Sequence, residues 1–381
     1  VVAVVAVVIA LFAILIVLGR PSGVLEDFWE EGGEEEYLPE LGEGPVVFTV
    51  CPLEENAILA VEPLGNLNPS GGHVFPSDHG GFYFVDAETD PPPYEVRSPA
   101  DGIITEIYWR VREWPEWTGR SGHYNDYKIT IAHTNTFRSV IDHVMELDNW
   151  IVERAGELKP DEFNRVKIPV KAGDRIGKTG GRLGVVAGID WGVVDENVTL
   201  SYIRPERYGD SAHAVHFIPY CEENLKAWLL EKLYDPFTGK RREIEPLWGK
   251  ADFDIPGRLS GNWFLEGTEE WNPAYHLAFV YDMWDPTQIR IAVAGDWGEP
   301  ISTLDIPATV YSVEGNAPDP ASISVENGAV IYWLRGAEAG EEHITATLLV
   351  QMLDNKRIKV EAFNDHVENP QFTQNAKYYT R

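Results

Sequence analysis

Few side chains in this 381-residue sequence could do chemistry, and most of those are imidazoles and carboxylates. His79 opens the run His79-Gly-Gly-Phe-Tyr83, His143 closes Ser139-Val-Ile-Asp-His143, and Asp190 sits inside Gly188-Ile-Asp-Trp-Gly192. His73 and Asp78 lie close to the first of these runs, and His213 and His216 stand three apart. Imidazole nitrogen and carboxylate oxygen are the donors of a hydrolytic zinc centre. Such a centre takes three protein ligands and leaves a position for a water whose pKa the metal lowers. A phenol such as Tyr83 is a poor third ligand, because it ionises only near about pH 10. Cys51 and Cys221 are too few for a disulfide framework and form no Cys-x-x-Cys pair. One bridge between them and two buried thiols fit the sequence equally.

The elements that must position these groups read as strands broken by turns. Gly102-Ile-Ile-Thr-Glu-Ile-Tyr-Trp109 and Asp126-Tyr-Lys-Ile-Thr-Ile-Ala132 are β-branched or aromatic runs with partial alternation. Between them, residues 110–125 carry Trp114 and Trp117 and read as an excursion over one face. Val46–Val50 and Ala57–Val61 are short apolar runs, expected as strands. Pro169 to Gly181 folds as a strand pair about an Ala-Gly-Asp turn, with Gly173 supplying positive φ. Periodicity through Val140, Val144 and Leu147 also allows a helix over 137–158. Glu222 to Leu233 has apolar residues at helical spacing after a proline and is expected to close the domain as a helix.

Taken in order, the pieces His79-Gly-Gly-Phe-Tyr83, Ser98-Pro-Ala-Asp-Gly102, Ser139-Val-Ile-Asp-His143, Val170-Lys-Ala-Gly-Asp-Arg-Ile-Gly177 and Gly188-Ile-Asp-Trp-Gly192 resemble the lysostaphin-type (LytM-like) zinc endopeptidases over roughly residues 65–220. The resemblance implies a central antiparallel β domain, a strand over 137–145 and a helix after Asp148. It also implies a zinc held by a first His, an Asp four residues later and the second His of a His-x-His pair, with two further histidines as acid/base groups. His79 matches the first ligand, whereas Tyr83 stands at the Asp position. His143 matches the strand histidine and is the candidate catalytic residue. Asp190 matches the second-His ligand position, and Gly188 stands where the other acid/base histidine belongs. His79 and Asp190 are therefore the candidate metal residues, and Tyr83 and Trp191 candidate binding residues in the groove. His73, Asp78, His213 and His216 are the donors that could substitute. With the acid/base histidine missing at Gly188, a proton shuttle worth roughly 10²–10⁴-fold is lost. The resemblance thus implies a degenerate member, a pseudoenzyme without activity; no cofactor is expected, zinc being the one candidate. Lipoyl- and biotinyl-carrier barrels share the two turn motifs, but no Met-Lys-Met or Asp-Lys-Ala hairpin is present.

The rest of the chain sets the context. Residues 1–18 carry no polar side chain and would span roughly 27 Å as a helix, close to a hydrocarbon core. Residues 1–20 are expected to be a transmembrane anchor and 21–45 an acidic linker. The remainder is then placed on the extracytoplasmic side, at the cell surface or in the periplasm. A turn-rich boundary follows the 46–235 domain, and 258–381 reads as short strands separated by Gly, Pro, Asn or Asp. That pattern suggests a C-terminal all-β barrel or sandwich. Gly261-Asn-Trp263 is similar to the Gly-x-Trp that opens lipocalin-type barrels. The fold class expected is mainly β. The net charge of −30 excludes nucleic acid as a partner. The expected partners are a cell-envelope peptide or glycan, or another envelope protein, with the membrane engaged through residues 1–20. The reading is of a membrane-anchored, extracytoplasmic binding or scaffold module. A variant zinc metallopeptidase acting on cell-wall peptide and a pilin-like filament subunit are the alternatives.

Overall fold

The computed structural model describes residues 41–67, 74–89, 91–181, 184–268, 275–295, 309–315, 317–336 and 343–381. The first part of the chain forms β1 (Ile58–Glu62), β2 (Gly80–Phe84), β3 (Tyr94–Arg97), β4 (Gly102–Glu113), β5 (His123–Ala132), β6 (Phe137–Val144) and β7 (Glu146–Leu147). Helix α1 (Asn149–Ala155) follows, then β8 (Phe163–Val170), β9 (Arg175–Thr179), β10 (Gly188–Asp195), β11 (Ala214–Val215) and helix α2 (Glu223–Lys232). The second part forms β12 (Gly261–Leu265), β13 (Leu277–Tyr281), β14 (Ile289–Val293), β15 (Thr309–Val313), β16 (Ala329–Arg335), β17 (Ile344–Asp354), β18 (Arg357–Asn364) and β19 (Lys377–Thr380).

The central sheet is antiparallel in the order β1-β2-β10-β6-β5-β4-β8, with β11 added beside β10; β3-β9-β7 form a small second sheet. Period-two alternation decides its faces. On β5, Tyr127, Ile129 and Ile131 turn inward with Ile107, Ile141, Ile189 and Trp191 to make the core. Asp126, Lys128 and Thr130 take the opposite face. The 110–125 excursion continues this ladder: β4 and β5 stay paired out to Glu113 and His123, making one long hairpin. The Val46–Val50 run pairs only as a single bridge, Phe48 to Cys221. The helix after Asp148 forms as expected, with Asp148 as its N-cap accepting from the Trp150 N–H at 3.4 Å. Both cysteines are free thiols.

Strands β12 to β19 close into an eight-stranded antiparallel barrel. Inward residues such as Trp263, Leu277, Phe279, Ile291, Tyr332, Leu348 and Ile358 fill it. Alternation toward water fails on one side for a physical reason. Phe264, Ala278, Val280, Ala292 and Val310 point outward and are buried against Val74, Phe75, Tyr202, Tyr208, Ala212 and Phe253. The barrel wall therefore packs on loops of the central part, and both faces of β12 and β13 read apolar. The C-terminal residue Arg381 is buried, with its guanidinium 4.0 Å from the Trp263 ring centre and donating to Ser260 O at 2.6 Å and Ile255 O at 3.0 Å.

One expectation is corrected. Among the described residues no helix is long and apolar enough to cross a membrane; α2, with ten residues, falls well short. Residues 1–20, on which the anchor was placed, lie outside the described residues. The fold class is mainly β with an eight-stranded barrel, and the transmembrane helix is removed from it. The membrane-anchored, extracytoplasmic localisation rested on that helix and finds no support among the described residues.

Candidate functional site

Strands β2, β10, β6, β5 and β4 present their polar residues side by side on the open face of the central sheet. His79 leads into β2, where two glycines are a steric requirement. A Cβ at Gly80 would lie 2.5 Å from His216 Nε2, and one at Gly81 would lie 2.6 Å from Ile189 O. Asp190 pairs in register with Gly81 on one side and Asp142 on the other. Between β5 and β6 the register passes from Tyr127–Val144 to Ile129–Ile141, so Asp142 and His143 together oppose Lys128. This is a β-bulge, which re-aims side chains that would otherwise point to opposite faces. His143 takes φ 67° there, a left-handed conformation uncommon outside glycine. Its N–H donates to Asp142 Oδ1 at 2.7 Å, and its carbonyl accepts from Thr179 Oγ1 at 2.5 Å, which holds the conformation in place.

The result brings His79, His143 and Asp190 together. The Nε2 atoms of both histidines lie 3.5 Å from the same oxygen, Asp190 Oδ2. Each histidine is oriented from behind by a carboxylate. His79 Nδ1 is 2.8 Å from Asp78 Oδ1, and His143 Nδ1 is 3.3 Å from Asp126 Oδ1. Asp78 in turn accepts from the Ser211 hydroxyl. Arg110, opposite Asp126 on β4, donates to Asp126 Oδ1 at 2.9 Å and to both oxygens of Asp142, one of them at 3.1 Å.

These contacts set the protonation states. Burial opposes charge on His79, but Asp190, Asp78 and Glu62 outweigh it and raise its pKa to about 9. Burial likewise opposes charge on His143, and Asp126, Asp142 and Asp190 together hold it well above the usual histidine range. Burial pushes Asp190 up, yet the two imidazoles bring it down to about 2. Asp142, pushed up by burial, is held well below the carboxylate range by Arg110, His143 and Lys128. On the β1 side, burial and the Asp190 charge push Glu62 up to about 7, against His79, the Tyr83 hydroxyl and Asn66. Burial, Glu62, Asp235 and Asp190 hold the Tyr83 phenol well above its ordinary value.

The candidates divide as follows. Trp191 is corrected: it is 1% exposed, stacked on Phe217 at 4.2 Å in the core, and cannot touch a ligand. Tyr83 is half-buried beside the cluster. His213 bonds Val198 O at 2.7 Å, and buried His216 bonds Glu62 O at 3.1 Å, so neither joins the site. Asp78 orients His79. His73 lies outside the described residues. Sequence reasoning passed over Glu62, Arg110, Asp126 and Asp142. Arg110 and Asp126 left a signal, as charged residues inside long strand runs. Glu62, at the end of an apolar run, left none.

A zinc ion, which the resemblance implies, fits these residues poorly. Among the described residues, the group of three donors whose ligand atoms all lie within 4.8 Å is Asp126, Asp142 and His143, not one containing His79 and Asp190. In that group the carboxylates already hold the Arg110 guanidinium. Gly188 offers no side chain, and Tyr83 is a phenol facing a carboxyl group.

No family model matches the chain, and no curated protein matches it. Among solved structures the chain is similar to the NMR solution structure of lysostaphin. The identity is 10%, with 86% of this chain and 91% of that chain covered, at a TM-score of 0.21. At that score the likeness carries no argument about fold or activity.

Proposed function

We propose that the open face of the central sheet is a peptidase-like groove that binds an extended peptide without cleaving it, so that the protein works as a binding or scaffold module. The observation that supports this most is the packing at Gly188, where the resembled enzymes would carry an acid/base histidine. A Cβ at Gly188 would lie 2.6 Å from Phe82 O, a backbone atom of the neighbouring strand. The position is closed to any side chain unless β2 and β10 move apart. Peptide hydrolysis needs an activated water, a polarised carbonyl and a proton shuttle in one place. Among the described residues no set of three mutually close donors contains His79 and Asp190, and the shuttle at 188 has no room. Peptide recognition survives such losses, because side chains on the open face and backbone groups at a sheet edge supply it without a reaction.

The test is an incubation of the zinc-supplemented full chain with oligoglycine and mixed-sequence peptides, beside a His79→Ala control, with binding followed by calorimetry. Binding without turnover is expected. Turnover that His79→Ala abolishes would replace this reading with that of a variant metallopeptidase. We further propose that 46–235 and 258–381 are separate domains; each has its own apolar core in support.

A further inference from the structure

We propose that the corner between Tyr83 and Phe237, flanked by Glu62 and Asp235, receives the side-chain ammonium of a lysine-type residue in the bound peptide. This rests on the peptide-binding reading above and adds the class of side chain recognised.

The feature that carries the inference is Phe237. It is 61% exposed, the most exposed of the large hydrophobic side chains among the described residues. An exposed aromatic ring held at a fixed place offers its π face to a cation. Phe237 is fixed: its N–H donates to Asp235 Oδ1 at 2.9 Å, and the turn is closed by Gly239 N–H to Asp235 O at 2.8 Å and Asp235 N–H to Lys240 O at 2.8 Å. The ring meets Tyr83 edge-to-face, with centroids 6.1 Å apart at 81°. One aromatic face is thereby left open beside the site described above.

The charge around the corner selects the ligand. Glu62 and Asp235 both act on the Tyr83 hydroxyl, whereas Asp190 is already paired with His79 and His143. The neighbouring cations are engaged elsewhere: Lys240 Nζ on Asp285 Oδ2 at 2.6 Å, Lys232 Nζ on Ile58 O at 3.3 Å, and His79 between Asp78 and Asp190. A compact ammonium gains from an aromatic face and from adjacent carboxylates at once, whereas a neutral or acidic side chain gains from neither. A net charge of −30 also favours the approach of a cationic partner.

Three acetylated, amidated pentapeptides, with lysine, Nε-acetyl-lysine or norleucine at the centre of four glycines, are titrated into the full chain by calorimetry. The lysine peptide should bind about tenfold more tightly than the other two. Phe237→Ala, a change at an exposed side chain, should reduce that preference to about twofold or less, and Asp235→Asn should weaken it while keeping the turn. Equal binding of all three peptides, or a lysine preference untouched by Phe237→Ala, overturns this inference and leaves peptide binding standing. If none of the three binds, the peptide-binding reading falls and this inference with it.

Discussion

Replacing Arg110 by Met tests whether the polar face is held by charge pairing. The Arg110 side chain is 8% exposed and bridges Asp126, 5% exposed, and Asp142, 16% exposed. Methionine keeps most of the volume but removes the guanidinium that bridges the two carboxylates, leaving them to His143 and the more distant Arg112. Removing one partner of a buried ion pair costs about 3–5 kcal/mol, because the remaining charge is stranded out of water. Against a total stability of about 5–15 kcal/mol, this is a large shift in the urea midpoint at unchanged m-value. The pH dependence adds a second check. With its pKa held down in the folded protein, Asp142 contributes stability above the unfolded carboxylate range and loses it as pH falls toward the folded value. The variant no longer has that contribution, so its deficit should begin to shrink below the unfolded carboxylate range and close only as pH falls through the depressed folded value. Asp142→Asn should rescue part of the loss in the Arg110→Met background, a coupling of about 1–3 kcal/mol. A cost below about 1 kcal/mol, with no convergence and no rescue, would refute the idea that this pairing holds the face together.

Glu62→Gln should stabilise the protein at neutral and higher pH. The folded pKa is raised from 4.5 to about 7, so the wild type loses stability as pH rises through that window, by up to roughly 3 kcal/mol; chemical denaturation at pH 5 and pH 8 reads the difference. Gly188→His should not restore hydrolysis and should lower the melting temperature, since its Cβ meets Phe82 O; a stable, active variant would count against the closed position. Arg381→Ala should cost about 3 kcal/mol or more through its lost carbonyl bonds and its place over Trp263, measured by urea unfolding. The 258–381 fragment should unfold cooperatively but bind a hydrophobic dye, because it exposes Phe264, Val280 and Ala292; a fragment with no transition would sink the proposed domain division.

Much of the architecture was legible because its signals are local. Alternation around Ile129 and Ile131 and the Ala-Gly-Asp turn at Gly173 each specify their own element, whereas the helix after Asp148 was expected from the resemblance and its cap is seen only in the structure. The strands from Leu277 to Phe363 were readable for the same reason. The polar network was less legible because it is assembled across strands. Arg110, Asp126 and Asp142 lie on three different strands, and register rather than spacing makes them neighbours. The bulge at Asp142 and His143 was hidden as well, since it depends on the β5 partner. Trp191 was misplaced by one step of alternation: beside Asp190 in sequence, it must point to the opposite face, into the core.

The sign of charge alternates along the open face, through Asp78, His79, Asp190, His143, Asp126, Arg110 and Asp142. Each interior member has an opposite charge on both sides, so removing one sets two like charges against each other. Such a row is stiff, and its stiffness also maintains the left-handed backbone at His143, a strained conformation that neighbours must over-determine to persist. A hydrolytic centre asks for something different: an open coordination position and an imidazole with one nitrogen free to take and return a proton. Here both histidines have carboxylates at both ring nitrogens, and the cation between Asp126 and Asp142 is a guanidinium that cannot leave. A face of this kind is suited to holding a complementary chain in a fixed orientation. On the binding reading proposed above, its fixed charges and the displayed Phe237 ring select among ligands, and both described imidazoles are held at both ring nitrogens.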